Sequence, residues 1–421
     1  MSNKIKQLSR STITKPDQFG AESDGQTARQ QLGFSIFSAS LIGESNKRRV
    51  LQMLFDLGPT SRAELARLTG TKRTTITGIV QPMIDAGLLV EVDPTEKRGV
   101  GKPARPLWFS DQSSQVCAVV LKPESIETAM ITLTGEVVGY RRSELPIDAR
   151  SREDYISRLF SGINAALKSA SGAALGIGIA VGGTINPDDG SIAAMNLAPA
   201  LGGLGLRDLV EDEFNLDTIV DHHPRAILLG ERWFGEGRGL NNFAVVYADE
   251  VLGCSMYLNG QPFRGPHGSG GELGHTIVDL DGAICTCGKR GCWETVATLP
   301  WLRDRATEAN LADAENLDVE GLVELSRDQP VATKLLEKYA HNLAIGIANL
   351  QTLLMSDNFI VYGSARRGGE RLERLLVSEL DELAASIEGN PIRVIMGRNE
   401  QQITLRGAAG LVISQQLAIE Y

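Results

Sequence analysis

Long apolar runs are missing from this 421-residue chain. No stretch of 18 consecutive hydrophobic residues occurs, so it offers no candidate for a membrane-spanning helix and no membrane insertion is expected. The first twenty residues, MSNKIKQLSRSTITKPDQFG, lack the apolar core of a secretion signal. Cysteine is scarce: five in all, three of them between 285 and 292. That usage suits a metal in a reducing cytoplasm better than a disulfide framework. The 42% hydrophobic and 22% charged content is ordinary for a soluble globular protein, and the length predicts two to four domains.

A positive balance is also missing overall, since the net charge is -10. It is not missing locally. Residues 46–109 hold 11 Lys and Arg against 6 Asp and Glu. A basic module on an acidic body is expected to meet phosphate through one end only. Residues 1–45, rich in Ser, Thr, Gln and Gly, read as a flexible tail whose role is not legible.

The basic module begins with NKRRVLQMLFDL, in which Val50, Leu51, Leu54 and Phe55 mark one helical face. In SRAELARLTG, Ser61 and Glu64 form a capping box and Gly70 a stop. In TKRTTITGIVQPMIDAG, Ile76, Ile79, Val80, Met83 and Ile84 make an apolar stripe. The opposite face presents Lys72, Arg73, Thr74, Thr75, Thr77 and Gln81. Two short helices about a glycine turn predict a helix-turn-helix whose second helix enters the major groove of double-stranded DNA. Pro82 inside that helix predicts a kink, or base reading confined to the first two turns. After Gly87, LLVEV and LWF flank DPTEKRGVGKPARP, a hairpin wing carrying Lys97, Arg98, Lys102 and Arg105 toward the DNA backbone or minor groove. The competing reading of this module is a protein-binding domain with a solvated charged face.

From about residue 114 the chain alternates apolar strands with helical stretches, which predicts a mixed α/β body. Within it, His275, Cys285, Cys287 and Cys292 supply one imidazole and three thiolates, the donor set of a closed tetrahedral zinc site. Four protein ligands leave no open position, so one structural zinc per chain is expected, not a catalytic one. Incidental buried thiols beside a core histidine are the alternative.

SRAELARLTGTKRTTITGIVQPMIDAGLL with GKPARP, and GELGH followed by CTCGKRGCWE, together resemble the ROK family of repressors, open reading frames and kinases. The resemblance implies an N-terminal winged helix-turn-helix, over 46–109, on a two-lobed actin-like (ribonuclease H-like) sugar-kinase fold, over 110–421. The lobes would span roughly 110–235 with the C-terminal segment, and 236–394. It also implies a homodimer or homotetramer, and sugar hydroxyls held by Glu272, His275 and Glu294, with Asn196 on a further sugar-side loop. The alternative for the two glutamates is to orient zinc ligands.

The kinases of this family need phosphate-binding loops and an aspartate base. Here the loop after VCAVVL reads KPES, and a second reads YADEVLGCS. The glycine run reads YGSARRGGE, and the catalytic segment reads Asp221-His222-His223-Pro224-Arg225, with His223 at the aspartate position. No ATP is therefore expected. His222 and His223 are expected to line the ligand pocket, with ordinary loop histidines as the alternative. The resulting expectation is a cytoplasmic repressor of carbohydrate uptake or catabolism genes, bound to an operator and controlled by a small carbohydrate-like effector. Its rivals are an active ATP-dependent sugar kinase with a DNA-binding head, and a regulator controlled by a protein partner at the membrane.

Overall fold

The computed structural model describes residues 42–93, 105–111, 114–265, 272–354, 356–383 and 392–417. The basic segment forms α1 (Ile42–Leu57), the two-residue strand β1 (Thr60–Ser61), α2 (Arg62–Thr69), α3 (Arg73–Asp85), β2 (Leu89–Glu91) and β3 (Pro106–Phe109). β3 lies between β1 and β2 and is antiparallel to both. α1 starts at Ile42, so Ser45 and Asn46 lie inside the helix. Ser61 caps α2 by accepting from the Glu64 amide at 3.2 Å, and Gly70 closes it at φ 64°. α3 buries Ile76, Val80 and Met83. It runs on through Pro82, because Pro82 and Gly78 are both exposed and the Gly78 carbonyl can turn to water.

The body contains two sheets of one design. The first comprises β4 (Gln115–Leu121), β5 (Ser125–Thr132), β6 (Val137–Glu144), β7 (Ala174–Val181) and β10 (Thr218–His222). Between them come α4 (Arg152–Lys168), the short pair β8 (Thr184–Ile185) and β9 (Ile192–Ala194), and α5 (Leu206–Phe214). After β10 follows α6 (His223–Phe234). The second sheet comprises β11 (Phe243–Ala248), β12 (Leu252–Leu258), β13 (Gln261–Pro262), β14 (Asn358–Tyr362) and β15 (Arg393–Met396). It is accompanied by α7 (Leu299–Glu308), α8 (Val319–Leu325), α9 (Pro330–Leu354) and α10 (Gly369–Leu383), and the chain then forms α11 (Glu400–Gln416). The strand orders are β6-β5-β4-β7-β10 and β13-β12-β11-β14-β15. In each, three antiparallel strands are extended on one side by two parallel ones.

Alternation along β4 explains its burial on both faces. Cys117, Val119 and Leu121 meet Tyr155, Leu159 and Ile163 of α4. Val116, Ala118 and Val120 share a core with Ala408 and Val412 of α11 and with Phe55, Leu65 and Ile76 of the basic segment. That segment and the first lobe are thus joined by one continuous apolar core.

α6 and α11 cross between the sheets, and only glycine permits their spacing. A Cβ on Gly407 would stand 1.6 Å from the Ala226 carbonyl oxygen, and one on Gly230 would stand 2.1 Å from that of Ile403. The far end of α6 grips α1. Trp233 stacks on Phe55 with ring centroids 5.2 Å apart, and Arg232 bonds Asp56 at 2.5 Å and the Tyr257 hydroxyl at 3.1 Å.

Candidate functional site

The second lobe carries a compact loop between the GELGH and CWE segments. Its backbone pairs Ile277 with Cys292 and Ile284 with Arg290. Gly291 makes the tight return possible: it sits at φ 72°, and a Cβ there would lie 1.5 Å from the Asp279 carbonyl oxygen. Trp293 anchors the loop, fully buried and donating its indole N–H to the Asn342 carbonyl of α9 at 2.9 Å.

This folding brings one ligand atom each from His275, Cys285, Cys287 and Cys292 within 4.8 Å of one another. Cys285 Sγ lies 3.5 Å from His275 Nδ1, and Cys287 Sγ lies 3.6 Å from Cys292 Sγ. A tetrahedral ion with metal–sulfur bonds of about 2.3 Å needs sulfurs about 3.8 Å apart, so these atoms fit such an ion with little movement. With Nδ1 turned to the thiols, the histidine keeps Nε2 for another partner. Glu294 stands beside the cluster, with Oε2 3.4 Å from His275 Nδ1 and 3.5 Å from Cys285 Sγ, while Oε1 accepts from the Leu252 amide. It therefore touches both the His-Cys cluster and the cleft.

The six residues expected to meet a ligand, Asn196, His222, His223, Glu272, His275 and Glu294, all line one cavity of about 180 Å³. Gly183, Thr184 and Asn196 come from the first lobe and Glu272, His275 and Glu294 from the second, so the cavity lies between lobes. His222 and His223 sit where β10 passes into α6. Burial keeps both neutral: it pushes His222 down to about 4 and His223 well below the usual histidine range. Beneath them Asp221 is buried but ionised. Burial alone would raise its pKa, yet Arg225 at 2.7 Å and Arg264 at 2.9 Å bring it below the ordinary carboxylate value.

Sequence reasoning overlooked Lys122, Tyr247 and this Asp221 pairing. Lys122 Nζ lies 3.0 Å from Glu400 of α11 and 3.5 Å from the Tyr247 hydroxyl of β11, which links the end of β4 to the second lobe. Burial would lower its pKa, but Tyr247 and Glu400 raise it above the usual lysine value. A lysine ending the otherwise apolar strand VCAVVL was the available signal.

On the basic segment, Lys72, Arg73, Thr74, Thr75, Thr77 and Gln81 are all exposed along α3 and its first cap. Arg105 is exposed just before β3, whereas Lys97, Arg98 and Lys102 lie outside the described residues. β2 and β3 pair as the expected hairpin stems, with Leu89 opposite Phe109.

Known proteins share this architecture. The xylose repressor of Caldicellulosiruptor bescii is 25% identical over 398 residues, covering 90% of this chain and 98% of its own. A solved ROK family transcriptional regulator, a homolog of the Escherichia coli MLC protein, superposes with a TM-score of 0.75 at 26% identity, covering 90% of this chain and 97% of its own. A ROK family glucokinase from Streptomyces griseus, solved with glucose and AMPPNP, shares the fold with a TM-score of 0.62 at 22% identity over 71% of this chain and 99% of its own. The ROK family itself matches residues 120–415, which take in the second sheet, most of the first, the interlobe cavity and the His-Cys cluster: the chain belongs to the ROK family.

Proposed function

We propose that this protein is a DNA-binding repressor of sugar-related genes, controlled by a small carbohydrate-like effector held between the lobes. The observation that carries this reading is the composition of the cleft. Residues suited to hydroxyl groups gather on one side, and the side that would receive ATP phosphates holds carboxylates. Asp249 and Glu250 line it, and Glu400 accepts from the Gly363 amide at 3.1 Å while pairing with Lys122. Pro123 removes a backbone donor from the loop after β4, and in this reading His223 takes the place of the kinase base. The regulator likeness runs over 90% of the chain and the glucokinase likeness over 71%.

In this reading α2 and α3 form a helix-turn-helix, β2 and β3 are the stems of its wing, and α3 enters the major groove. Arg73, Lys72 and Gln81 reach base edges or phosphates, the three threonines contact methyl groups or phosphates, and Arg98, Lys102 and Arg105 track the backbone. Two such heads in a cytoplasmic dimer or tetramer grip a two-fold operator. One zinc, held by His275, Cys285, Cys287 and Cys292, fixes the loop that presents Glu272, His275 and Glu294 to the effector. α6 runs from the cleft to the head, so closure of the lobes is felt at α1. The effector then changes operator affinity only as far as it prefers one of the two states.

Arg73→Ala tests the head. With an operator selected from a random-sequence pool and followed by fluorescence anisotropy, the variant should lose roughly 5- to 150-fold in affinity if Arg73 makes a bidentate base contact, about 1–3 kcal/mol. Unchanged affinity and sequence preference would remove α3 from the interface.

A further inference from the structure

The three loops that the family resemblance assigns to phosphates are tied to one another by two side chains. Lys122 stands in the first loop, just past the end of β4. Tyr247 belongs to the second, YADEVLGCS, and Gly363 to the third, YGSARRGGE. Lys122 Nζ lies 3.0 Å from Glu400 Oε1, at the start of α11, and 3.5 Å from the Tyr247 hydroxyl. Glu400 Oε2 accepts from the Gly363 amide at 3.1 Å and lies 4.0 Å from Arg366 Nε. Lys122 and α11 pack with the first lobe, so each member of the ion pair also reaches the second.

Both ends of this bridge are fixed. Tyr155 of α4 donates to the Pro123 carbonyl at 2.5 Å, which anchors the first loop to its own lobe. On the far side a Cβ on Gly363 would stand 2.5 Å from the Ala248 carbonyl oxygen, so the second and third loops are pressed together. When a link between two fixed ends is cut, the bodies behind them are free to part. The pair is enclosed, with 18% of the Lys122 side chain and 17% of the Glu400 side chain exposed, so salt screens it less than a surface pair. Glu124 and Asp249 add to the negative field about the ammonium. An enclosed ion pair adds little net stability over an apolar substitute, because desolvation offsets the attraction; here it ties parts that otherwise touch across an open cleft. The bridge also abuts the start of α6, where the His223 ring stands edge-on to Tyr247 with centroids 4.9 Å apart.

We propose that Lys122 and Glu400 form an internal clasp that joins the three loops in place of a nucleotide, and that this clasp sets the resting closure of the lobes. The clasp requires no bound molecule, so it stands or falls separately from the effector reading.

The test compares the full-length, metal-loaded parent, without ligand, with the double variant Lys122→Met, Glu400→Leu, which puts apolar side chains of similar size in place of the pair. Small-angle scattering should show a larger radius of gyration for the variant at the same oligomeric state. Hydrogen exchange reports local opening. The cleft-lining segments 182–184 and 251–253 should exchange roughly 3- to 10-fold faster, the size expected for losing one or two modest contacts. The Gly363 amide, deprived of its acceptor, should follow them. Glu400→Gln keeps an acceptor for Gly363 and removes the charge that holds Lys122. It should speed exchange in the cleft segments and leave Gly363 protected, and it serves alone should the double variant fail to fold. Parent-like scattering, or parent-like exchange in the cleft segments, overturns the proposal. Loosening confined to Gly363 would reveal a local hydrogen bond and overturns it equally.

Discussion

Cys287→Ser is expected to strip the metal from the second lobe and lower its melting temperature steeply. Cys287 is exposed, and an exposed substitution away from special features usually changes stability by no more than about 0.5 kcal/mol. A ligand is different. Metal binding contributes about 10–16 kcal/mol to folding in zinc-finger peptides. The loop here also has Trp293 packed beneath it, so only part of such a figure is at stake. Losing even about 3 kcal/mol would lower Tm by about 6–12 °C for a unit of 150–250 residues. Metal analysis should find one zinc per chain in the parent and none in the variant. Effector binding should weaken as well, because the same loop presents Glu272, His275 and Glu294 to the cleft. Full metal content and an unchanged Tm in Cys287→Ser would show that the four side chains are neighbours without being ligands.

Trp233→Ala is expected to separate effector binding from operator control. Trp233 is 2% exposed and packs on Phe55 of α1. Truncating a buried tryptophan costs about 3–5 kcal/mol, and here the loss falls on the junction between α6 and the head. The N-terminal end of α6 bears His223 at the cleft, and its twelve residues span about 18 Å at 1.5 Å each. Coupling energies of about 1–3 kcal/mol change affinity roughly 5- to 150-fold. In the variant the effector should still bind, while its influence on operator affinity falls toward none. The milder Arg232→Met, which removes the Asp56 pairing and keeps much of the side-chain volume, should reduce that influence without a comparable loss of stability. Undiminished coupling in both variants would exclude α6 as the connection.

The parts of this molecule that were legible in the sequence are the local ones. The four residues whose ligand atoms cluster fall within 18 positions, so spacing alone marked them as a set. The helices of the basic segment carry their own punctuation: Ser61 caps α2 and Gly70 ends it. What escaped notice depends on distant partners. Asp56 and Arg232 are 176 positions apart, and Lys122 and Glu400 are 278 apart. Each looks like an ordinary surface charge until the lobes and head assemble. The matching strand orders of the two sheets were equally hidden, since their apolar runs share an alternation but no recurring motif. The residues expected to meet a ligand were named largely through the family resemblance, and their gathering around one cavity follows from the lobes meeting at β10, α6 and the His-Cys loop.

The account turns on a cleft that receives a sugar-like molecule and does not use ATP. The most direct measurement is ATP turnover by the purified, metal-loaded protein in a coupled assay, run against a sugar panel that includes every probe found to raise its Tm. The account predicts no sugar-dependent phosphoryl transfer, even at saturating concentrations of a ligand that stabilises the fold. Sugar-dependent turnover near 1–10³ s⁻¹, the range of ordinary enzymes, would contradict it and make the protein a kinase with a DNA-binding head.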